Sequence, residues 1–209
     1  MKGFLVALKT LFPTKIWQGP LGTKAIIQRL NQELKQDTQA IMSIDRLGWN
    51  WSKDNYVGGY TSYSSMTKLH QRFAPFMELK KRIDRKVSSF VQAQEWEMQG
   101  RQLKMTDCWV NVMPSLVHHS LHLHPQSVIS GTYYVALPKG SGILKFEDPR
   151  LGLFMAAPAR KNPCSVGVAP FYGLRPKPGE LVLWESWLRH EVTANAGNGE
   201  RISISFNYS

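Results

Sequence analysis

Cysteine is nearly missing from these 209 residues: Cys108 and Cys164 stand 56 positions apart and belong to no Cys-x-x-Cys arrangement. That usage excludes a disulfide framework and a zinc ribbon, and it fits a reducing cytoplasm. Long apolar runs are missing as well. Near the start, Gly3 to Leu8 is cut by Lys9 after six residues, too short for an export signal. No stretch elsewhere approaches the ~20 apolar residues of a membrane span. There is no internal repeat and no low-complexity tract. Acidic residues are few, with 15 Asp and Glu against 26 Lys and Arg, a formal charge of +11. The imbalance sits in residues 1 to 110, which hold 17 basic and 9 acidic side chains, whereas residues 111 to 209 hold 9 and 6.

A basic excess can serve nucleic acid or another anionic surface. Here its densest run, Lys80, Lys81, Arg82, Arg85 and Lys86, falls in a segment with helical apolar spacing. A solvated helix face takes precedence, and nucleic acid is kept as a minor reading. With 43% hydrophobic content the chain can bury one sizeable core and is too short for two ordinary domains. The expectation is a single domain over 1–209, with a helical portion and sheet edge over 1–106 and a β core over 107–209.

Ile26, Leu30 and Leu34 fall four apart and predict a helix from Thr23 to about Met42. A second helix should start near Pro75, with Phe76, Leu79, Ile83, Val87 and Phe90 as its buried stripe. Phe12 to Trp17 reads as a short strand. Gly48 to Ser65 holds Trp49, Trp51, Tyr56, Tyr60 and Tyr63 among Gly, Ser and Asn, with little helical periodicity, and reads as a loop that could line a substrate mouth. After Asp107 come short strands rich in Val, Ile, Tyr, Phe and Trp: Trp109 to Met113, Ser127 to Leu137, Ile143 to Phe146, Glu180 to Trp184 and Arg201 to Tyr208. The fold class is mostly β with N-terminal helices (α+β), a double-sheet jelly roll with the helices packed on one sheet.

Four of the six histidines, His118, His119, His122 and His124, fall within seven residues, and His190 follows 66 positions after His124. In an extended segment His122 and His124 face one side. With His190 from a distant strand they make a three-imidazole set that leaves coordination positions open, as oxygen chemistry requires. Zinc and copper also accept imidazole. His70, standing alone, reads as an ordinary surface or hydrogen-bonded histidine. Eleven residues beyond His190, the run from Arg201 to Asn207 alternates polar and apolar, so Arg201 and Ser203 should point together into a cavity. A guanidinium pairs its N–H groups with a carboxylate, and a hydroxyl can add one more bond.

His122-Leu123-His124, His190 and Arg201-Ile202-Ser203 resemble the His-x-acid, distal His and Arg-x-Ser pattern of the Fe(II)/2-oxoglutarate-dependent dioxygenases, whose fold is a double-stranded β-helix. Trp109-Val110-Asn111, Ser130-Gly131-x-Tyr133-Tyr134-Val135, Phe146-Glu147-Asp148-Pro149-Arg150 and the run to Asn207 are similar to a group of these oxygenases with His-x-His in place of His-x-Asp. The resemblance implies Fe(II) held by His122, His124 and His190, with His119 as the alternative to one of the pair. It implies 2-oxoglutarate anchored by Arg201, with Ser203 and a phenol from Tyr133 or Tyr134 beside it. Asn111 and Asn207 are weaker lining candidates. The implied reaction uses O2, converts 2-oxoglutarate to succinate and hydroxylates a C–H bond of a small-molecule or peptide substrate.

Two rival readings remain. A cupin-like three-histidine metalloenzyme without 2-oxoglutarate would leave Arg201 idle, and His190 lies farther behind Gly179 than the second cupin motif requires. A non-catalytic basic module with a structural metal would be expected to close its site with four protein ligands.

Overall fold

The structure is a computed structural model that describes residues 8–209. Except for Leu8, the opening apolar stretch read above as too short for export lies outside the described residues. In chain order the elements are β1 (Trp17–Pro20), α1 (Lys24–Ile44), α2 (Arg46–Asn55), β2 (Tyr60–Thr61), α3 (Ala74–Ala93), β3 (Met105–Met113), β4 (His119–His122), β5 (Ile129–Ala136), β6 (Leu144–Glu147), β7 (Phe171–Leu174), β8 (Glu180–Glu185), β9 (His190–Val192) and β10 (Arg201–Tyr208). They build two antiparallel sheets. The larger has the order β1-β8-β5-β10-β3-β2 and the smaller β4-β9-β6-β7.

Strand alternation divides the interior into two layers. On β10, Ile202, Ile204, Phe206 and Tyr208 face outward and meet Leu30, Leu34 and Ile41 of α1 and Phe76, Leu79, Ile83, Val87 and Phe90 of α3. On β8 the same division sends Leu181 and Leu183 to the helices, while Val182 and Trp184 join Tyr134, Leu144, Phe146 and Val192 between the sheets. The architecture is the expected jelly roll with helices on one sheet. Each large apolar side chain sealed in these layers contributes roughly 1.5–3 kcal/mol. What remains between the sheets, opposite the helices, is the polar face of β10, and there the site lies.

The helices start where chemistry favours it. The Thr23 hydroxyl caps α1 by accepting from the Ile26 amide, and Pro75 sits in the first turn of α3. On α3 the basic run is partly neutralised, Lys80 by Asp84 at 2.7 Å and Arg82 by Glu78 at 2.8 Å. Among the described residues no helix is long and apolar enough to cross a membrane.

Several elements differ from the sequence reading. Phe12 to Trp17 is not a strand: Phe12 has a φ of 57°, in the left-handed region, and pairing begins only at Trp17, opposite Leu183. Gly48 to Ser65 is not all loop, because α2 occupies its first part. The Asp45 carboxylate caps α2 by accepting from the Gly48 amide at 2.9 Å and also accepts from the Tyr60 hydroxyl at 2.7 Å. Sequence periodicity misses this ten-residue helix because the residues it buries, Gly48 and Ser52, are not apolar. The short strands β4, β7 and β9 were likewise not expected as separate elements.

Candidate active site

The smaller sheet brings the histidines together. β4 and β9 pair so that His122 stands directly opposite His190, with ring centroids 4.3 Å apart. The expectation that His122 and His124 share one strand face needs correction. β4 ends at His122, and His124 sits on the following loop, where its backbone N–H donates to the Ser186 carbonyl at 3.0 Å. Its ring still reaches the other two, 5.1 Å from His122 and 5.2 Å from His190. One ligand atom from each of His122, His124 and His190 lies within 4.8 Å of the others.

Local backbone prepares two of the rings. His122 Nδ1 lies 2.7 Å from the Ser120 carbonyl and His190 Nδ1 lies 2.9 Å from the Leu188 carbonyl. A carbonyl can only accept, so each Nδ1 carries the proton and each Nε2 keeps its lone pair free. Burial lowers the pKa of all three imidazoles, His190 well below its ordinary value, His124 to about 4 by burial and then by His122, and His122 in the same direction. At neutral pH they are uncharged, the form that binds a metal. His119 stacks on His122 at 4.2 Å and is held at about 3, first by burial, but it lies outside the converging three. His118 is exposed, and His70 is buried far from the site among the residues packed under α3.

Arg201 and Ser203 face the same cavity, as strand parity required. Arg201 is 1% exposed; its Nη1 donates to Ser203 Oγ at 3.1 Å and its guanidinium lies over the Tyr134 ring at 5.1 Å. β10 and β5 pair Ser203 with Tyr134 and Ile204 with Tyr133. Directly opposed residues share a face, so register settles what sequence left open. Tyr134 lines the cavity, while Tyr133 turns to the helices and donates to Asn31 Oδ1 at 2.6 Å. Tyr133 as a cosubstrate residue is therefore corrected. Removing its hydroxyl should destabilise the fold by about 1 kcal/mol and leave 2-oxoglutarate affinity unchanged. Tyr134→Phe should do the reverse. Urea denaturation and a binding titration on both variants check this pair.

Asn111 also lines the cavity, but its amide is committed, accepting from Thr61 Oγ1 at 2.8 Å and donating to Ser205 Oγ at 3.1 Å. Asn207 accepts from Ser130 at 2.8 Å. Both support the wall.

The cavity is about 440 Å³ with its mouth. Among the described residues, seven buried side-chain polar atoms lack a hydrogen-bond partner, and five of them belong to residues of this lining: Tyr56 Oη, Tyr134 Oη, Trp184 Nε1, Arg201 Nε and Arg201 Nη2. All five can donate, and none of the described lining residues is acidic. Buried donors left unpaired are costly. A guest rich in acceptors and negative charge satisfies them, and a dicarboxylate is such a guest. Trp184 was not among the expected site residues, although β8 parity could have found it; Tyr56 was read only as one aromatic of a segment that could line a substrate mouth, and its place deep in the cavity was not expected.

An aromatic series leads outward from the imidazoles. Trp109 lies 5.9 Å from His124, Tyr63 5.1 Å from Trp109, and Trp51 6.1 Å from Tyr63. Part of the expected aromatic mouth therefore stands beside the site, although Trp51 belongs to α2.

Comparison with known proteins agrees with this geometry. The family model described as "Putative 2OG-Fe(II) oxygenase" matches residues 107–207. No curated protein matches the chain. Among solved structures the chain is similar to a Pseudomonas putida prolyl-4-hydroxylase, at 15% identity over 93% of this chain and 92% of that one, with a TM-score of 0.60. It is similar to SnoN, a non-heme alpha ketoglutarate dependent epimerase from nogalamycin biosynthesis, at 13% identity over 93% and 76%, with a TM-score of 0.64. A third likeness is to HygX from Streptomyces hygroscopicus with nickel, 2-oxoglutarate and hygromycin B bound, at 11% identity over 94% and 83%, with a TM-score of 0.61. At these identities the likeness is one of fold. The matched segment, residues 107–207, carries the three converging imidazoles and Arg201, and over that segment the chain matches the 2-oxoglutarate- and Fe(II)-dependent oxygenases, oxidoreductases that use Fe(II), 2-oxoglutarate and O2.

Proposed function

We propose that His122, His124 and His190 hold Fe(II), that Arg201, Ser203 and Tyr134 anchor the far carboxylate of 2-oxoglutarate, and that the chain works as one oxygenase domain on a small-molecule or peptide substrate. The observation that carries this reading is the ring of unpaired buried donors beside three neutral imidazoles. Bound there, the metal and cosubstrate supply the oxidation, in which 2-oxoglutarate and O2 give succinate, carbon dioxide and an oxidised substrate.

The chain's own residues bind, orient and exclude water. Arg201 offers Nε and Nη2, two parallel donors that match the two oxygens of a carboxylate. Ser203 Oγ accepts from Nη1 and so acts on the carboxylate through the guanidinium, which it fixes in place. Tyr134 is pushed up to about 12 by burial, so it stays a donor. Asn111 holds the wall through Thr61 and Ser205. Leu144, Trp184 and Val192 close the apolar sides.

Trp109, Tyr63 and Trp51 support a substrate path over aromatic faces that ends at His124. The pairing of Lys80 and Arg82 within the basic run on α3 supports a solvated face over a nucleic-acid contact. Two unpaired cysteines, Cys108 buried and Cys164 partly so, support a reducing cytoplasm. The test is succinate formation. Purified protein with Fe(II), 2-oxoglutarate and O2 should convert the keto acid to succinate slowly even without substrate, and conversion at the protein-free rate counts against the reading.

A further inference from the structure

We propose that Tyr56, at the C-terminal end of α2, is a second phenol donor to the far carboxylate of 2-oxoglutarate and helps set the preference for a five-carbon diacid. The proposal rests on the functional reading above. It adds a positioning residue from outside the matched segment, residues 107–207.

Three observations converge on it. Tyr56 lines the same cavity as Arg201 and Tyr134, is 4% exposed, and its hydroxyl has no partner. Its ring packs edge-on against His119 at 5.2 Å and belongs to the apolar layer with Met113 and Val117. A phenylalanine would serve that packing equally and would bury no unpaired hydroxyl. The Arg201 guanidinium is near enough to oppose the upward push that burial gives the phenol. That push keeps the phenol protonated and able to donate.

The donor count matches as well. A carboxylate presents about four lone-pair sites. A guanidinium bound through Nε and Nη2 fills two, one on each oxygen. Tyr134 and Tyr56 are the two remaining phenols with unpaired buried hydroxyls among the described residues, and they fill the other two. The C-terminal end of α2 would thereby close one side of the pocket, and the fit there would depend on a carboxylate at the far end of the cosubstrate.

Calorimetry on Mn(II)-loaded protein without O2 tests this, with 2-oxoglutarate and pyruvate as the two probes. They share the keto acid end, and only the first has a far carboxylate. Tyr56→Phe should weaken 2-oxoglutarate binding about tenfold, in line with one hydrogen bond to a charged group, and leave pyruvate binding at the wild-type value. Equal weakening of both probes would assign Tyr56 a packing role and overturn the proposal. Unchanged 2-oxoglutarate binding, with the wild type binding normally, would overturn Tyr56 alone. No binding by the wild type would overturn the functional reading, and Tyr56 with it.

Discussion

Replacing His190 by alanine should remove the metal. His190 is 3% exposed, faces His122 across β4 and β9, and has its Nδ1 tied to Leu188, so its Nε2 has no other use in the fold. Loss of an outer-shell partner of a metal ligand typically costs 10–100-fold in affinity, and loss of the ligand itself should exceed about 100-fold. His119→Ala provides the contrast, since that ring stacks on His122 without joining the converging three. It should keep the metal within about tenfold of wild type. Metal content after dialysis against Fe(II) under nitrogen, with circular dichroism to verify folding, reads both. Metal retained by His190→Ala at wild-type affinity contradicts the ligand assignment.

The second large effect falls on the cosubstrate. Arg201→Ala should weaken 2-oxoglutarate by about 1.5–3 kcal/mol, roughly 10- to 150-fold, while Fe(II) measured alone still binds. The same residue makes an unusual prediction for stability. Arg201 forms no ion pair among the described residues, although it is almost fully buried, and Nε and Nη2 are unpaired. A buried charge without a partner opposes folding, and an apolar residue of similar volume removes that opposition. Ligand-free Arg201→Met should therefore melt at or above the wild-type temperature. It should also lose most of the stabilisation that 2-oxoglutarate gives the wild type, which follows from binding linkage. A large drop in the melting temperature of the ligand-free variant would mean that the guanidinium holds the fold and not a guest.

Sequence patterning made much of this visible. The alternation from Arg201 to Asn207 placed Arg201 and Ser203 in the cavity because a strand with one apolar face has no freedom to turn over. The helix stripes of α1 and α3 were legible for the same reason. What escaped was non-local. The choice of Tyr134 over Tyr133 depends on the pairing of β5 with β10, with a register shift between Ile202 and Ser203, and neighbouring tyrosines carry no trace of it. β9 has three residues and no periodicity to read. α2 was hidden because its aromatic residues suggested a loop, although Asp45 stood at its start as a capping signal. Tyr56 is recognised only by a hydroxyl without a partner, a property of the packed interior.

The set of three histidines also has an electrostatic consequence. Neutral imidazoles cancel none of a divalent ion's charge, and no described lining residue is acidic. With a divalent ion bound beside Arg201 the cavity would be strongly positive, which would draw a dianion and make metal and 2-oxoglutarate binding mutually reinforcing. Anaerobic titration of the Fe(II)-loaded protein with 2-oxoglutarate tests this account most directly. The account predicts a weak visible charge-transfer band that saturates in the wild type, is displaced to higher concentration in Arg201→Ala, and is missing in His190→Ala. A wild-type protein that takes up Fe(II) and shows no band at saturating 2-oxoglutarate would contradict it.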